Sequence, residues 1–138
     1  MMEIVVKDLQ DKFGERKPMV FAVTVLTSLD TKALFEMGWE KPVDEQVPRL
    51  ALLAQSCGID GVVCSPREIH LVRKEVEPKF KIVTPGIRMP DQSLNDQQRI
   101  ATPREALSSG ADYIVVGRAV THDLNPRSAL QRLLETIM

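Results

Sequence analysis

Apolar residues along the chain fall into two alternating patterns, one with helical spacing and one continuous. Residues 1–13 carry a helical stripe of Met2, Val5, Val6, Leu9 and Phe13 that stops at Gly14 and Pro18. Residues 19–26 (MVFAVTVL) form an unbroken apolar, β-branched run, the pattern of a strand buried on both faces. Thr27, Ser28 and Asp30 follow, and a short helix is predicted over 31–37, closed by Gly38. A longer helix over 43–57 has Val47, Leu50, Ala51, Ala54 and Cys57 on one face and Gly58 past its end.

The alternation then repeats. Residues 59–64 (IDGVVC) predict a second strand, and Ser65-Pro66-Arg67-Glu68 a helix start that runs to about Val76. The serine can cap, the proline suits the first helical position, and the glutamate can return a bond to the cap. Residues 80–84 predict a third strand leading into Pro85-Gly86-Ile87-Arg88, and the polar residues 89–99 a loop of more than usual length, as lids often are. Thr102-Pro103-Arg104-Glu105 repeats the helix start, and Gly110 ends that helix. Residues 112–117 predict a fourth strand and 118–124 a loop. Asn125-Pro126 then opens a last helix with Leu130, Leu133, Leu134 and Ile137 inward. Buried strands alternating with helices predict an α/β fold with a parallel sheet, and the repeated Ser/Thr-Pro-Arg-Glu start supports equivalent units in series.

Composition narrows the class. A chain of 138 residues, 43% hydrophobic and 27% charged, suits one soluble globular domain. Its net charge of −1 offers no basic field for nucleic acid. No apolar stretch approaches the roughly 18 residues that a membrane helix needs. Cys57 and Cys64 have no Cys or His at ligand spacing, so they read as small buried hydrophobes in a reducing compartment. The first residues lack the order of a secretory signal, and the cytoplasm is the expected location.

In parallel sheets, ligands bind beyond the carboxyl ends of the strands. Two segments there stand out, VTPGIR (83–88) and DYIVVGR (112–118). Each is an apolar run that stops at a glycine and then presents an arginine, as expected where a buried strand delivers a guanidinium to an anion. Gly117 with Arg118 is the strongest phosphate candidate, because unshielded backbone N–H groups and an arginine fork make an anion site; the alternative is a surface arginine at a strand end. Arg88 reads equally as a second anion ligand or as a salt bridge steadying the loop. Gln97, alone, is an ordinary solvated amide, and Thr27 could simply cap the helix after it. No Lys or His stands at a strand end with a carboxylate partner, so the pattern contains a binding half without a catalytic half.

Five segments carry a family resemblance: FAVTVLTSLD (21–30), GIDGVVCSPRE (58–68), KIVTPGIR (81–88), NDQQRIATPREAL (95–107) and GADYIVVGRAVT (110–121). Together they resemble the C-terminal half of bacterial orotidine 5′-phosphate decarboxylase. The resemblance implies the fifth to eighth strands of a TIM-type (β/α)8 barrel, a fold that takes ~250 residues in full. Residues 1–138 would then be a single partial domain. It also implies removal of CO2 from orotidine 5′-phosphate (OMP) to give UMP in pyrimidine biosynthesis, without metal or cofactor, by a homodimer. Thr27 would touch the pyrimidine end, Gln97 would lie in the phosphate-closing loop with Arg88 nearby, and Gly117 and Arg118 would hold the phosphate. Ala119 stands where the family usually has proline.

The family's Asp-x-Lys-x-x-Asp motif and its first-strand aspartate have no counterpart here. The resemblance therefore assigns no catalytic residue to this chain, and the chain alone is expected to be inactive. Two other readings stay open: another phosphate-binding barrel enzyme, such as a sugar-phosphate epimerase or hexulose-phosphate synthase, and a non-catalytic nucleotide-binding remnant. Either way, a half-barrel exposes sheet edges and should self-associate.

Overall fold

A computed structural model of the chain describes residues 1–88 and 101–137, so Gln97 and most of the long polar loop lie outside the described residues. Helix α1 (Met2–Phe13) is followed by β1 (Phe21–Val23), α2 (Thr31–Glu36), α3 (Val43–Ser56) and β2 (Gly61–Val63). A 3-10 turn (Pro66–Glu68) then leads into α4 (Ile69–Glu75) and β3 (Lys81–Thr84). Beyond residue 100 come α5 (Pro103–Ser108), β4 (Tyr113–Ile114), α6 (Arg118–Thr121) and α7 (Pro126–Ile137). All pairings are parallel and the sheet order is β1-β2-β3-β4. Strand order that follows chain order, with a helical crossover at each step, is barrel winding; an open doubly wound sheet reverses direction partway.

The helices cover one face. Ala22, Val62, Ile82 and Ile114 point toward them, where Val47, Ala51 and Ala54 of α3 and Ile69 and Val72 of α4 complete the core. The spacing of those α3 residues is the predicted apolar stripe, and its burial is what holds the helix to the sheet. The other face is open among the described residues. Val23 is 61% exposed, Val115 50% and Tyr113 44%. Across this face the Phe21 and Tyr113 rings meet edge to face at 6.3 Å, although they lie on the two outer strands. Three strand spacings would separate those strands by about 14 Å in a flat sheet, so the contact requires the sheet to curl as a barrel wall does.

Several expectations change. Residues 19–26 are not buried on both faces: β1 is shorter, and Met19, Val23 and Leu26 are exposed because nothing described packs on the inner face. The segment predicted as a loop after Gly117 contains α6, whose first turn closes on the Gly117 carbonyl through Val120 and Thr121 N–H groups at 2.9 and 3.0 Å. In α7 the inward positions are Ala129 and Leu133, whereas Leu130 and Leu134 face out. That helix rests on α5 and α6, so only a narrow stripe is covered. At Ser65 the hydroxyl accepts from Arg67 N–H at 3.3 Å and a 3-10 turn follows. The full capping box forms at Thr102 and Glu105.

The amino ends of the strands are pinned by two aspartates. Asp60, one residue before β2, accepts the Val20 N–H at 2.8 Å and the Lys17 ammonium at 2.7 Å. Asp112, one residue before β4, accepts the Ile82 N–H at 2.8 Å and the Lys81 ammonium at 2.9 Å, and it pairs with Arg73. Arg73 also donates to the carbonyls of Gly110 and Phe80, which ties α4 to the same corner. Both aspartates sit in a Gly-x-Asp unit, Gly58-Ile59-Asp60 and Gly110-Ala111-Asp112, whose glycine ends a helix at positive φ. Burial pushes the Asp112 carboxyl up, but the Ile82 N–H, Lys81 and Arg73 together hold it below the usual aspartate range.

Two predictions follow from this geometry. A Cβ on Gly61 would lie 2.3 Å from the Lys81 carbonyl oxygen and 2.7 Å from the Phe21 ring. Gly61→Ala should therefore cost about 2–4 kcal/mol of stability in urea unfolding, and an unchanged midpoint would refute the close packing. Because the folded pKa of Asp112 is depressed, its contribution is full above the unfolded value and is lost as pH falls through the folded one. The stability gap between the native chain and Asp112→Asn should thus be present at neutral pH and shrink from about pH 4 downward.

Candidate functional site

At the carboxyl ends of the strands, hydroxyls tie neighbouring strands together. Thr24 Oγ1 donates to the Val63 carbonyl at 2.8 Å, and the fully buried Thr84 donates to the Cys64 carbonyl at 2.8 Å. The Val63 carbonyl also accepts the Thr24 N–H at 3.1 Å, so the Thr24 hydroxyl adds a second bond between β1 and β2 at their ends, and the Thr84 hydroxyl adds a bond from β3 to the end of β2. Beyond Thr84 the chain turns at Gly86, whose φ of 77° is a conformation that favours glycine. It then forms one more parallel bridge, Ile87 with Ala101. Arg88 N–H donates to the Ala101 carbonyl at 3.0 Å, and Ala101 N–H donates to the Gly86 carbonyl at 3.3 Å.

This bridge delivers the Arg88 side chain into a buried position, 6% exposed. Its Nη1 donates to the Ile87 carbonyl at 2.8 Å. Nε and Nη2 are buried without a hydrogen-bond partner among the described residues. Leaving charged donors dry and unsatisfied is costly, and an anion is the ligand that would relieve it with two parallel bonds.

The next strand ends beside it. Val115 N–H donates to the Thr84 carbonyl at 2.8 Å, which carries the β3–β4 pairing one step past the ladder. Gly117 then begins α6, with its own backbone open and no atom near the place a Cβ would take. Arg118 is half-buried at the first position of α6. Thr27 is half-buried in the turn after β1, where Leu29 N–H closes on the Leu26 carbonyl at 2.9 Å. Of the residues expected from sequence, Arg88, Gly117 and Arg118 come together at adjacent strand ends. Thr27 shares that edge of the sheet but follows β1, and Gln97 lies outside the described residues.

Catalytic groups are not part of this cluster among the described residues. The lysine–carboxylate pairs on the sheet, Lys17 with Asp60 and Lys81 with Asp112, both stand at the amino ends. No group of three or more His, Cys, Asp or Glu able to hold a metal occurs among the described residues. A cavity of about 540 Å³, lined by Met19, Asp60, Lys79 and Phe80 among others, also opens at the amino ends. A second, of about 690 Å³, lies between the 3-10 turn and α3, with Asp30, Arg67 and His70 in its wall. Neither is lined by Thr27, Arg88, Gly117 or Arg118.

Sequence reasoning missed the roles of Asp60, Asp112 and Ala101. The two aspartates were detectable from the repeated Gly-x-Asp before a strand. Ala101 carries no signal, because its contribution is made by the main chain.

Curled parallel winding, helices on one face and a polar cluster at the carboxyl ends define a protein of the (β/α)-barrel class. A model of the "Orotidine 5'-phosphate decarboxylase / HUMPS family" matches residues 1–133, and the chain belongs to that family. The orotidine 5′-phosphate decarboxylase of Geobacter sulfurreducens is 48% identical over 139 residues, with 100% of this chain and 58% of the relative covered. That of Coxiella burnetii is 45% identical over 96% of this chain and 56% of its own length. The crystal structure of the Lactobacillus acidophilus enzyme superposes with a TM-score of 0.81 at 34% identity, covering 99% of this chain and 58% of that one. The chain therefore spans a little over half the length of these relatives.

Thr84→Val keeps the shape of the side chain but removes the hydroxyl's bond to the Cys64 carbonyl. It should cost about 1–2 kcal/mol in chemical denaturation, and no loss would mean that the hydroxyl is not holding the strand ends together.

Proposed function

We propose that the chain carries the phosphate-binding side of an orotidine 5′-phosphate decarboxylase site. On this reading residues 1–138 are one partial domain, half of a barrel whose whole form converts OMP to UMP and CO2 in pyrimidine biosynthesis, in the cytoplasm. The single observation that carries it is the buried Arg88 guanidinium with two open donors, standing one strand end away from Gly117 and Arg118. The named relatives supply the substrate. Arg88 and Arg118 grip the phosphate, Gly117 lets its oxygens approach the backbone, Thr27 contacts the pyrimidine end, and the family resemblance adds Gln97, outside the described residues, as a further phosphate contact.

Decarboxylation leaves a carbanion that must be protonated and a negative charge that must be offset. Among the described residues the lysines next to the strands are committed to Asp60 and Asp112 at the opposite end, so on this reading the donor comes from elsewhere than this face of the sheet. Phosphate binding remote from the reacting carbon contributes by orienting the nucleotide, but it cannot replace that donor. The chain alone therefore binds UMP without turning over OMP.

Arg118→Ala should weaken UMP binding by about 1.5–3 kcal/mol, the scale of a hydrogen bond to a charged group. Calorimetry that finds the affinity unchanged removes Arg118 from the site. The same titration separates the sugar-phosphate alternatives: UMP should bind and a pentose phosphate should not, and the reverse preference would sink the assignment.

The open inner face gives the second part of the proposal. Val23, Tyr113 and Val115 present apolar surface beside unpaired strand edges, a combination that drives association. The chain should self-associate at micromolar concentration in light scattering, and a stable monomer there would refute this.

A further inference from the structure

The Arg88 side chain can serve as a ligand only if something sets its direction, and the grip on its backbone comes from Ala101. Three bonds meet here: Arg88 N–H to the Ala101 carbonyl, Ala101 N–H to the Gly86 carbonyl, and Arg88 Nη1 to the Ile87 carbonyl. Ile87, between the two bridged positions, is fully buried in the core and cannot drift. On the far side, Ala101 is followed at once by the Thr102–Glu105 capping box. There Thr102 N–H donates to Glu105 Oε2 at 2.8 Å and Glu105 N–H to Thr102 Oγ1 at 3.3 Å. Ala101 is thus anchored by the start of α5, and through it Arg88 is anchored too.

We infer that the main chain of Ala101 is a positioning element for the anion site: its two hydrogen bonds clamp residues 86–88 so that Arg88 Nε and Nη2 stay aimed and open. The substrate class is a phosphomonoester, and the inference rests on the reading of Arg88 as a phosphate ligand. A guanidinium free to rotate would fold onto nearby carbonyls and lose its pair of parallel donors. Pre-orienting it places that ordering cost in folding and spares binding. No side chain at position 101 takes part, so the property resides in an N–H and a C=O.

The test is a double-mutant cycle in the full chain, read by UMP calorimetry with inorganic phosphate as a second probe. Ala101→Pro removes the N–H while keeping the carbonyl, and Ala101→Ser keeps both. Ala101→Pro should weaken UMP about threefold to tenfold, Ala101→Ser should not, and Ala101→Pro should add nothing in an Arg88→Ala background, as expected of coupled positions. Hydrogen exchange at the Arg88 amide should accelerate in Ala101→Pro, showing that the bridge has opened. If Ala101→Pro fails to fold, Gly86→Ala strains the other side of the bridge at positive φ and should show the same non-additivity.

An equal loss in both backgrounds means general loosening and overturns the inference. So does an opened bridge with unchanged UMP affinity, which leaves the phosphate role of Arg88 standing. Absence of UMP binding, or unchanged affinity in Arg88→Ala, overturns the phosphate reading itself and this inference with it.

Discussion

Strand register is what the rest of the molecule depends on, and two carboxylates set it. Asp60 and Asp112 each stand one residue ahead of a strand and each reach sideways to a backbone N–H of the neighbouring one. A parallel ladder has evenly spaced, slanted bonds that resist sliding poorly. A carboxylate fixed to one strand and bonded to the next removes that freedom. The lysines and Arg73 that share these carboxylates offset the cost of burying them. Register at the amino ends decides what emerges side by side at the carboxyl ends. Here those are the Gly86–Arg88 turn and the Gly117–Arg118 turn.

The two ends of the sheet divide the labour. Charged groups at the amino ends are paired and satisfied, which is the chemistry of a brace. At the carboxyl ends the threonines close strand to strand, and the cation nearest them is left with open donors. A group that folding leaves unsatisfied in a dry place is a cost that only a ligand recovers, and in barrel proteins the carboxyl face is where ligands are met. The same asymmetry explains why lysine–aspartate pairs are present in the chain without forming a reaction centre: they belong to the brace.

Much of the fold was legible because each unit repeats its signals. Helix ends at Gly38, Gly58 and Gly110 and the cap at Thr102 appear where expected, since each depends on local backbone geometry that neighbours do not override. The misreadings share a cause. An apolar run reports that a segment is sticky, not whether its second face is covered, so residues 19–26 read as doubly buried while Val23 and Leu26 lie open. The spacing in α7 was read as a wide inward face, but its support is two short helices, and only Ala129 and Leu133 are covered. Four residues after Gly117 wound into α6 because the Gly117 carbonyl is free to accept, a short-range event with little apolar signature.

By itself the sequence determined the parallel α/β class, the serial units, the strand-end arginines and the family likeness, because periodicity, caps and ordered motifs are local properties. Only the tertiary structure decided which arginine is buried with unmet donors, that Ala101 holds it through its main chain, and that the inner face is bare. Those depend on atoms brought together across the sheet from distant parts of the chain. Backbone hydrogen bonds between such segments are made by groups that every residue carries, so no residue type announces them.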